Sequence, residues 1–211
     1  MALNIGNSGN FRAVVKFNAR TGEWFFRDGQ DETAIEGHPV FVLDLSNICT
    51  GWFLFREGTA PSRRIDIDLD SEAPQPTADH KRGFMVLAYS KNLFGGVAEF
   101  SSASAYLCAA IRDLHATFEA ERAVHAGQVP VIAYVNATPR KTKFGTNYAP
   151  TFRIEKWTPR PAELPDESPA DPAEVWNGGT VTARPATPRP KRSDFAPTAQ
   201  AAPVASVNSE F

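Results

Sequence analysis

Residues 101–127 read SSASAYLCAAIRDLHATFEAERAVHAG, and this stretch decides the fold because it carries the one strong helical pattern in the chain. Leu107, Ile111, Leu114 and Phe118 recur at three- and four-residue spacing, which lines one face of an α-helix, and Arg112, Asp113, Glu119 and Glu121 fall on the other. Ser101 and Ser102 have side chains suited to accept hydrogen bonds from the free amides of a first turn, and Gly127 supplies a stop. One helix of about 20 residues therefore lies on a sheet.

On both sides of it the pattern is that of strands. Phe11, Ala13, Val15 and Phe17 alternate with Arg12, Val14 and Lys16; Thr21-Gly22 turns the chain into Glu23–Arg27, and Asp28-Gly29 closes that piece. Residues 40–55 read as two strands, or as one bent at Gly51. Residues 83–90 form a strand buried on both faces, followed by a turn at 91–96 and a short strand at 97–100. Residues 129–137 and 151–157 complete the set, with a loop at 138–150 between them. Residues 56–82 are polar and Pro-rich and read as a mobile loop, with a short edge strand at Ile65–Leu69.

The fold class that follows is mainly β: an OB-like β-barrel with one α-helix on the sheet, a sandwich being the alternative. From Pro159 the composition shifts to Pro, Ala, Ser and Thr, which cannot bury enough surface to offset chain entropy. The expected division is a barrel domain over residues 1–161 and a disordered, Pro/Ala-rich, mildly acidic tail over residues 162–211.

The chain has 211 residues, 42% of them hydrophobic, enough for one domain with a proper core. No apolar run approaches the roughly 20 residues of a membrane span, and Met1–Asn10 has no leader pattern, so a cytoplasmic location in a bacterial host cell is expected. Cys49 and Cys108 sit among apolar neighbours and read as reduced, structural thiols.

Enzymatic signatures are missing from the pattern. His38, His80, His115 and His125 are scattered, with no metal-ligand spacing, and no phosphate-binding glycine loop or nucleophile elbow is present. No catalytic residue, metal or cofactor is expected. The run Asp66, Asp68, Asp70 and Glu72 could hold a divalent cation, which keeps a hydrolase or nuclease as a distant rival; a solvated strand edge explains it more simply.

The most suggestive segment is TPRKTKFGTNYAPTFRIEK, residues 138–156. Arg140, Lys141 and Lys143 can neutralise phosphates, and Phe144 and Tyr148 offer faces on which unpaired bases stack, each worth roughly 1–3 kcal/mol. Arg153 and Lys156 continue the set along the last strand, and Lys91 at a hairpin tip would extend it. Arg63-Arg64, Trp24, Phe26 and Trp52 are weaker candidates for the same groove. Against this stands the net charge of −2. The excess lies in the tail, where seven acids face four basic residues, leaving residues 1–161 at +1. Any electrostatic case therefore rests on local clustering.

The motifs Lys91-Asn92-Leu93-Phe94-Gly95-Gly96, Glu99-Phe100-Ser101-Ser102, Gly145-Thr146-Asn147-Tyr148-Ala149-Pro150 and Trp157-Thr158-Pro159-Arg160-Pro161 together resemble bacteriophage and prophage OB-fold single-stranded DNA-binding proteins of replication and recombination. The likeness covers about residues 50–161. It implies a non-enzymatic, sequence-independent binder of single-stranded DNA, with a tail that recruits replication or recombination proteins and competes with DNA for the groove. The tip, Ser206–Phe211, carries only Glu210 as an acid, and Lys191-Arg192 interrupts the tail's acidity. A homodimer fits so short a groove. The alternative is a protein-interaction or virion-associated β-domain with no nucleic-acid affinity.

Overall fold

Apolar and polar side chains alternate through β1 (Val14–Asn18) and β2 (Glu23–Asp28), which pair as the expected hairpin with Phe17 opposite Trp24 and Val15 opposite Phe26. Gly22 sits at φ 80° in the turn between them. The computed structural model describes residues 12–56, 58–143 and 145–177. A third strand, β3 (Asp31–Ile35), adds to the far side of β2. Sequence reading passes over it because it is exposed almost throughout and shows no apolar alternation.

The long apolar stretch splits into β4 (Val40–Leu43) and β5 (Cys49–Leu54). The break is a single 3-10 turn at Leu45–Asn47, and Gly51 lies inside β5, where a side chain would collide with the Arg64 carbonyl. Next come β6 (Ser62–Ile65), β7 (Lys81–Ser90), the one-turn helix α1 (Lys91–Phe94) and β8 (Gly96–Ser102). The long helix α2 (Ala105–Glu121) begins later than expected because β8 runs on through Ser102, whose Oγ accepts from the Ser104 amide at 3.1 Å. The chain closes with β9 (Gln128–Thr142) and β10 (Gly145–Pro159).

The strands run β10-β9-β4-β7-β8-β1-β2-β3, with β5 continuing beside β7 and β6 beside β5. Every pairing is antiparallel except β1 on β8. The fold is thus mainly β, an open many-stranded sheet with one long helix. Leu107, Ile111, Leu114 and Phe118 of α2 bury against Val15, Phe17, Phe41, Leu43, Phe84, Phe100 and Ile132. Trp24 lies in this core at 2% exposure, its ring 5.2 Å from Phe17 and 5.5 Å from Phe100, so it is not a stacking platform. Each large side chain buried here contributes on the order of 2 kcal/mol.

The polar stretch before β7 is more fixed than a mobile loop. The Asp66 carboxylate takes hydrogen bonds from the Ala73 amide (2.8 Å), the Thr50 hydroxyl (2.6 Å) and both terminal nitrogens of Arg82 (2.9 and 2.6 Å). Trp52 donates its indole N–H to the Ala73 carbonyl at 2.6 Å. The short strand here is Ser62–Ile65; residues 66–70 leave the ladder.

Residues 162–177 correct the expected boundary, because they pack on the domain. Met85 and Leu87 point from β7 away from the main core, and a strand buried on both faces needs a second cover. Residues 160–177 supply it as a strap. Leu164, 3% exposed, packs with Val42, Leu87, Val129 and Val131, and Val175 reaches the Phe53, Ile65 and Met85 cluster. The Ile65 amide donates to the Glu174 carbonyl and the Trp176 amide to the Ile65 carbonyl, both at 2.8 Å. Arg160 clamps the fully buried Asp44 with two hydrogen bonds of 3.0 and 2.5 Å. The rest of the expected tail, residues 178–211, lies outside the described residues.

Candidate nucleic-acid interface

The loop expected over residues 138–150 is a continuation of the two last strands. β9 and β10 stay paired from Gln128 opposite Pro159 to Thr142 opposite Gly145, fifteen residues on each side. At about 3.3 Å per residue the ribbon approaches 50 Å. Its outer half leaves the body of the sheet, since β4 pairs with β9 only at Val131–Ala133. Thr138, Thr142, Thr146 and Thr151 favour the extended state. Pro139 and Pro150, which mislead a strand search, are tolerated because a two-stranded arm has free edges. At the tip the Thr142 hydroxyl donates to the Gly145 carbonyl at 2.9 Å, and Gly145 takes φ 112°.

Residues directly opposite each other share a face of an antiparallel pair. Tyr148 faces Pro139 and Thr146 faces Lys141, whereas Arg140 stands with Asn147 on the other side. On β10 the alternation turns Tyr148, Phe152 and Ile154 toward the core, to which all three pack, and leaves Asn147, Thr151 and Arg153 outward. Irregularities at Thr151/Phe152 and Ile154/Lys156 re-aim the strand so that Lys156 stands opposite Val131, on the same outward side as Arg153 opposite Ala133. Arg140, Arg153 and Lys156 thus share the outward face. Lys141 lies on the face of Tyr148.

Five of the expected residues are therefore brought onto one ribbon with Lys143: Arg140, Lys141, Tyr148, Arg153 and Lys156. Tyr148 is half-buried at the base of the arm. Its amide donates to the Ala19 carbonyl at 2.7 Å, and its ring lies over Gly22, where an added side-chain carbon would meet it at 3.2 Å. Arg153 also lines a cleft of about 320 Å³ between β10 and α2, with Asp113 and Glu121 on the opposite wall. Phe144 lies outside the described residues.

Lys91 does not join the set. It opens α1, and its ammonium lies 3.5 Å from Glu163 of the strap. Arg63 is also withdrawn: its guanidinium holds the buried Glu99 carboxylate at 3.1 and 2.5 Å. Phe26 stacks on Phe94, and Trp52 carries the Arg82 guanidinium 5.5 Å above its ring. Arg64 pairs by its backbone with Trp52 in the β5–β6 ladder.

Asp66 has a structural use. Burial would push its carboxyl up, but Arg82, the Ala73 amide and the Thr50 hydroxyl outweigh burial and hold it below the ordinary carboxylate value. Among the described residues no three His, Cys, Asp or Glu side chains cluster as a metal site. Burial pushes the Cys49 and Cys108 thiols up, in keeping with a structural role.

One signal in the sequence goes further than the interleaved segment. From Arg122 to Ile154 the chain contains no Asp or Glu, while Arg122, Arg140, Lys141, Lys143 and Arg153 fall within that span. Among the described residues Arg140, Lys141, Arg153 and Lys156 form no ion pair. A chain of net charge −2 thus holds one projecting ribbon whose outer part, residues 135–150, carries basic residues and no acid. No helix among the described residues is long and apolar enough to cross a membrane. No family model, curated protein or solved structure matches the chain.

Proposed function

We propose that the chain is a single-stranded DNA-binding protein that acts without catalysis and without sequence preference. The observation that carries this reading is the β9–β10 arm, on which Arg140, Lys141, Arg153 and Lys156 stand exposed and form no ion pair among the described residues. Cationic side chains along an extended ribbon follow a phosphate backbone, and release of the counterions they displace gives the affinity. Tyr148 at the base adds an aromatic ring beside the strand's path.

Strand connectivity supports an OB-like barrel. The β4–β5 line, β7 and β8 run as a meander, α2 follows, and β9 returns beside β4 with β10 beyond it. In OB barrels the connection between the fourth and fifth strands flanks the oligonucleotide groove, and the arm occupies that place in the order. The second and third strands of such barrels also bind, and here the strap and its acids Glu163, Asp166, Glu167, Asp171 and Glu174 cover the outer side of β7. This reading therefore puts DNA on the arm and off the sheet face. Action in the cytoplasm of a bacterial host, and recruitment of replication or recombination proteins by the segment beyond residue 177, belong to the same reading.

The acidic strap is the one observation favouring the rival, a protein-interaction or virion-associated β-domain. Fluorescence anisotropy of a labelled oligo-dT of about 30 nucleotides separates them. The expected result is tight binding at low salt that weakens steeply as salt rises and is lost in Arg140→Ala/Lys141→Ala/Lys143→Ala. Absence of binding by the wild-type chain at low salt overturns the proposal in favour of the interaction domain.

A further inference from the structure

β3 is the last strand of the sheet, and its outer edge has no strand partner among the described residues. Asp31, Glu32, Thr33 and Ala34 are all exposed. The segment from Asp28 to Glu36 holds four acids, Asp28, Asp31, Glu32 and Glu36, and no basic residue. Only Glu32 is neutralised in place, by Lys16 at 2.8 Å. An open edge of this kind is a template for another strand, and its charge decides which strand is admitted.

The arm offers the complement. Its last backbone tie on the β4 side is the Tyr134 amide to the Pro39 carbonyl at 3.1 Å. Beyond it, from Val135 to Lys141, that edge of β9 has no strand partner among the described residues. Two β3 edges together would oppose acid to acid, and two arms would oppose base to base. Arm on β3 is the one pairing of these edges in which the charges compensate.

We propose that the free edge of β3 seats the basic arm of a second copy of this chain. The contact uses the backbone edge of β9 and the charges of Arg140 and Lys141 against Asp28, Asp31 and Glu36. It joins two different patches of the molecule, so repetition extends the assembly unless a reciprocal exchange closes it as a dimer. Nucleic acid takes no part in the contact, which makes it independent of the DNA-binding reading.

Sedimentation velocity of the full chain without DNA, at about 50 mM and about 500 mM salt, tests it. The wild-type chain is expected to associate at low salt and to sediment as a monomer at high salt. Arg140→Glu/Lys141→Glu and Asp28→Lys/Asp31→Lys are each expected to remain monomeric alone. Mixed in equal amounts they recover association, because each then presents the charge the other lacks, and that recovery also shows both variants to be folded. A wild-type chain that is monomeric at low salt, a single variant that still associates, or a mixture that stays monomeric overturns the proposal.

Discussion

The two places where this molecule concentrates arginine treat it in opposite ways. In the body of the sheet Arg63 and Arg160 on the outer side, and Arg82 on the side facing α2, are each locked onto a buried carboxylate, Glu99, Asp44 and Asp66 respectively. On the arm Arg140 and Lys141 stand exposed with no carboxylate partner among the described residues. The same kind of charge is structural where it repays the desolvation of an acid, and available to a ligand where it does not. Residue type and spacing cannot separate the two uses, because Arg63-Arg64 and Arg140-Lys141 look alike in the sequence. The fold separates them by placing acids beside one set.

The largest effect that could break this contrast is expected at Arg160. Arg160→Ala leaves Asp44 buried without its partner and should destabilise the domain by about 3–5 kcal/mol in urea titration. A loss below about 1 kcal/mol would mean that the strap clamp is ornamental and that the two arginine populations do not differ. Removing the arm charges in Arg140→Ala/Lys141→Ala/Lys143→Ala should leave stability within about 0.5 kcal/mol. Its signature is in binding: affinity for oligo-dT falls roughly 100-fold at low salt, and the log–log salt slope becomes shallower by about 2. A loss of affinity with an unchanged slope would place the contact away from phosphate.

Gly22 sharpens the comparison at the point where arm and body meet. Gly22→Ala strains a backbone at φ 80° and presses on the Tyr148 ring, so a loss of about 1–2 kcal/mol is expected in thermal or urea unfolding. If the variant instead matches wild type, Tyr148 is not seated against the turn as described. The smallest effect is in the acid limb of the stability curve. The folded-state value of Asp66 is depressed, so its contribution is fully present above the ordinary carboxylate value near 4 and disappears as pH falls through the lower folded value. Asp66→Asn should flatten that limb and leave its shape above about pH 5 unchanged.

Much of the fold is legible in the sequence. The β1–β2 hairpin, the apolar face of α2 and the strand at 83–90 follow from periodicity, and the last even announced burial on both sides. What would cover its second side was not legible, because the strap earns its place through a few separated residues, Arg160, Leu164 and Val175, set in a sequence whose composition resembles a linker. β3 went unseen for the opposite reason: an edge strand with an exposed surface has no alternation to display. The arm reads as a loop in the sequence because Pro139 and Pro150 argue against a ladder, and only an edge position makes them harmless. Its charge was readable, although the acid-free span from Arg122 to Ile154 is a stronger sign than the interleaving that drew attention to it. That Lys91 has an ion-pair partner is not legible, because Glu163 is distant in sequence.

The strap also sets the order in which the molecule can be completed. Its ties join residues very far apart in the chain: Asp44 to Arg160, Asn47 to Asp166, and Arg12 to the Pro169 carbonyl. Such contacts close the longest loops in the fold and are the last to repay their entropy. Until Val175 has been synthesised and has met Ile65, the outer side of β7 shows Met85 and Leu87 to solvent. The nascent chain therefore passes through a stage in which its most buried strand, β7, is half-covered and adhesive, and the final turn of folding is the closing of a clasp.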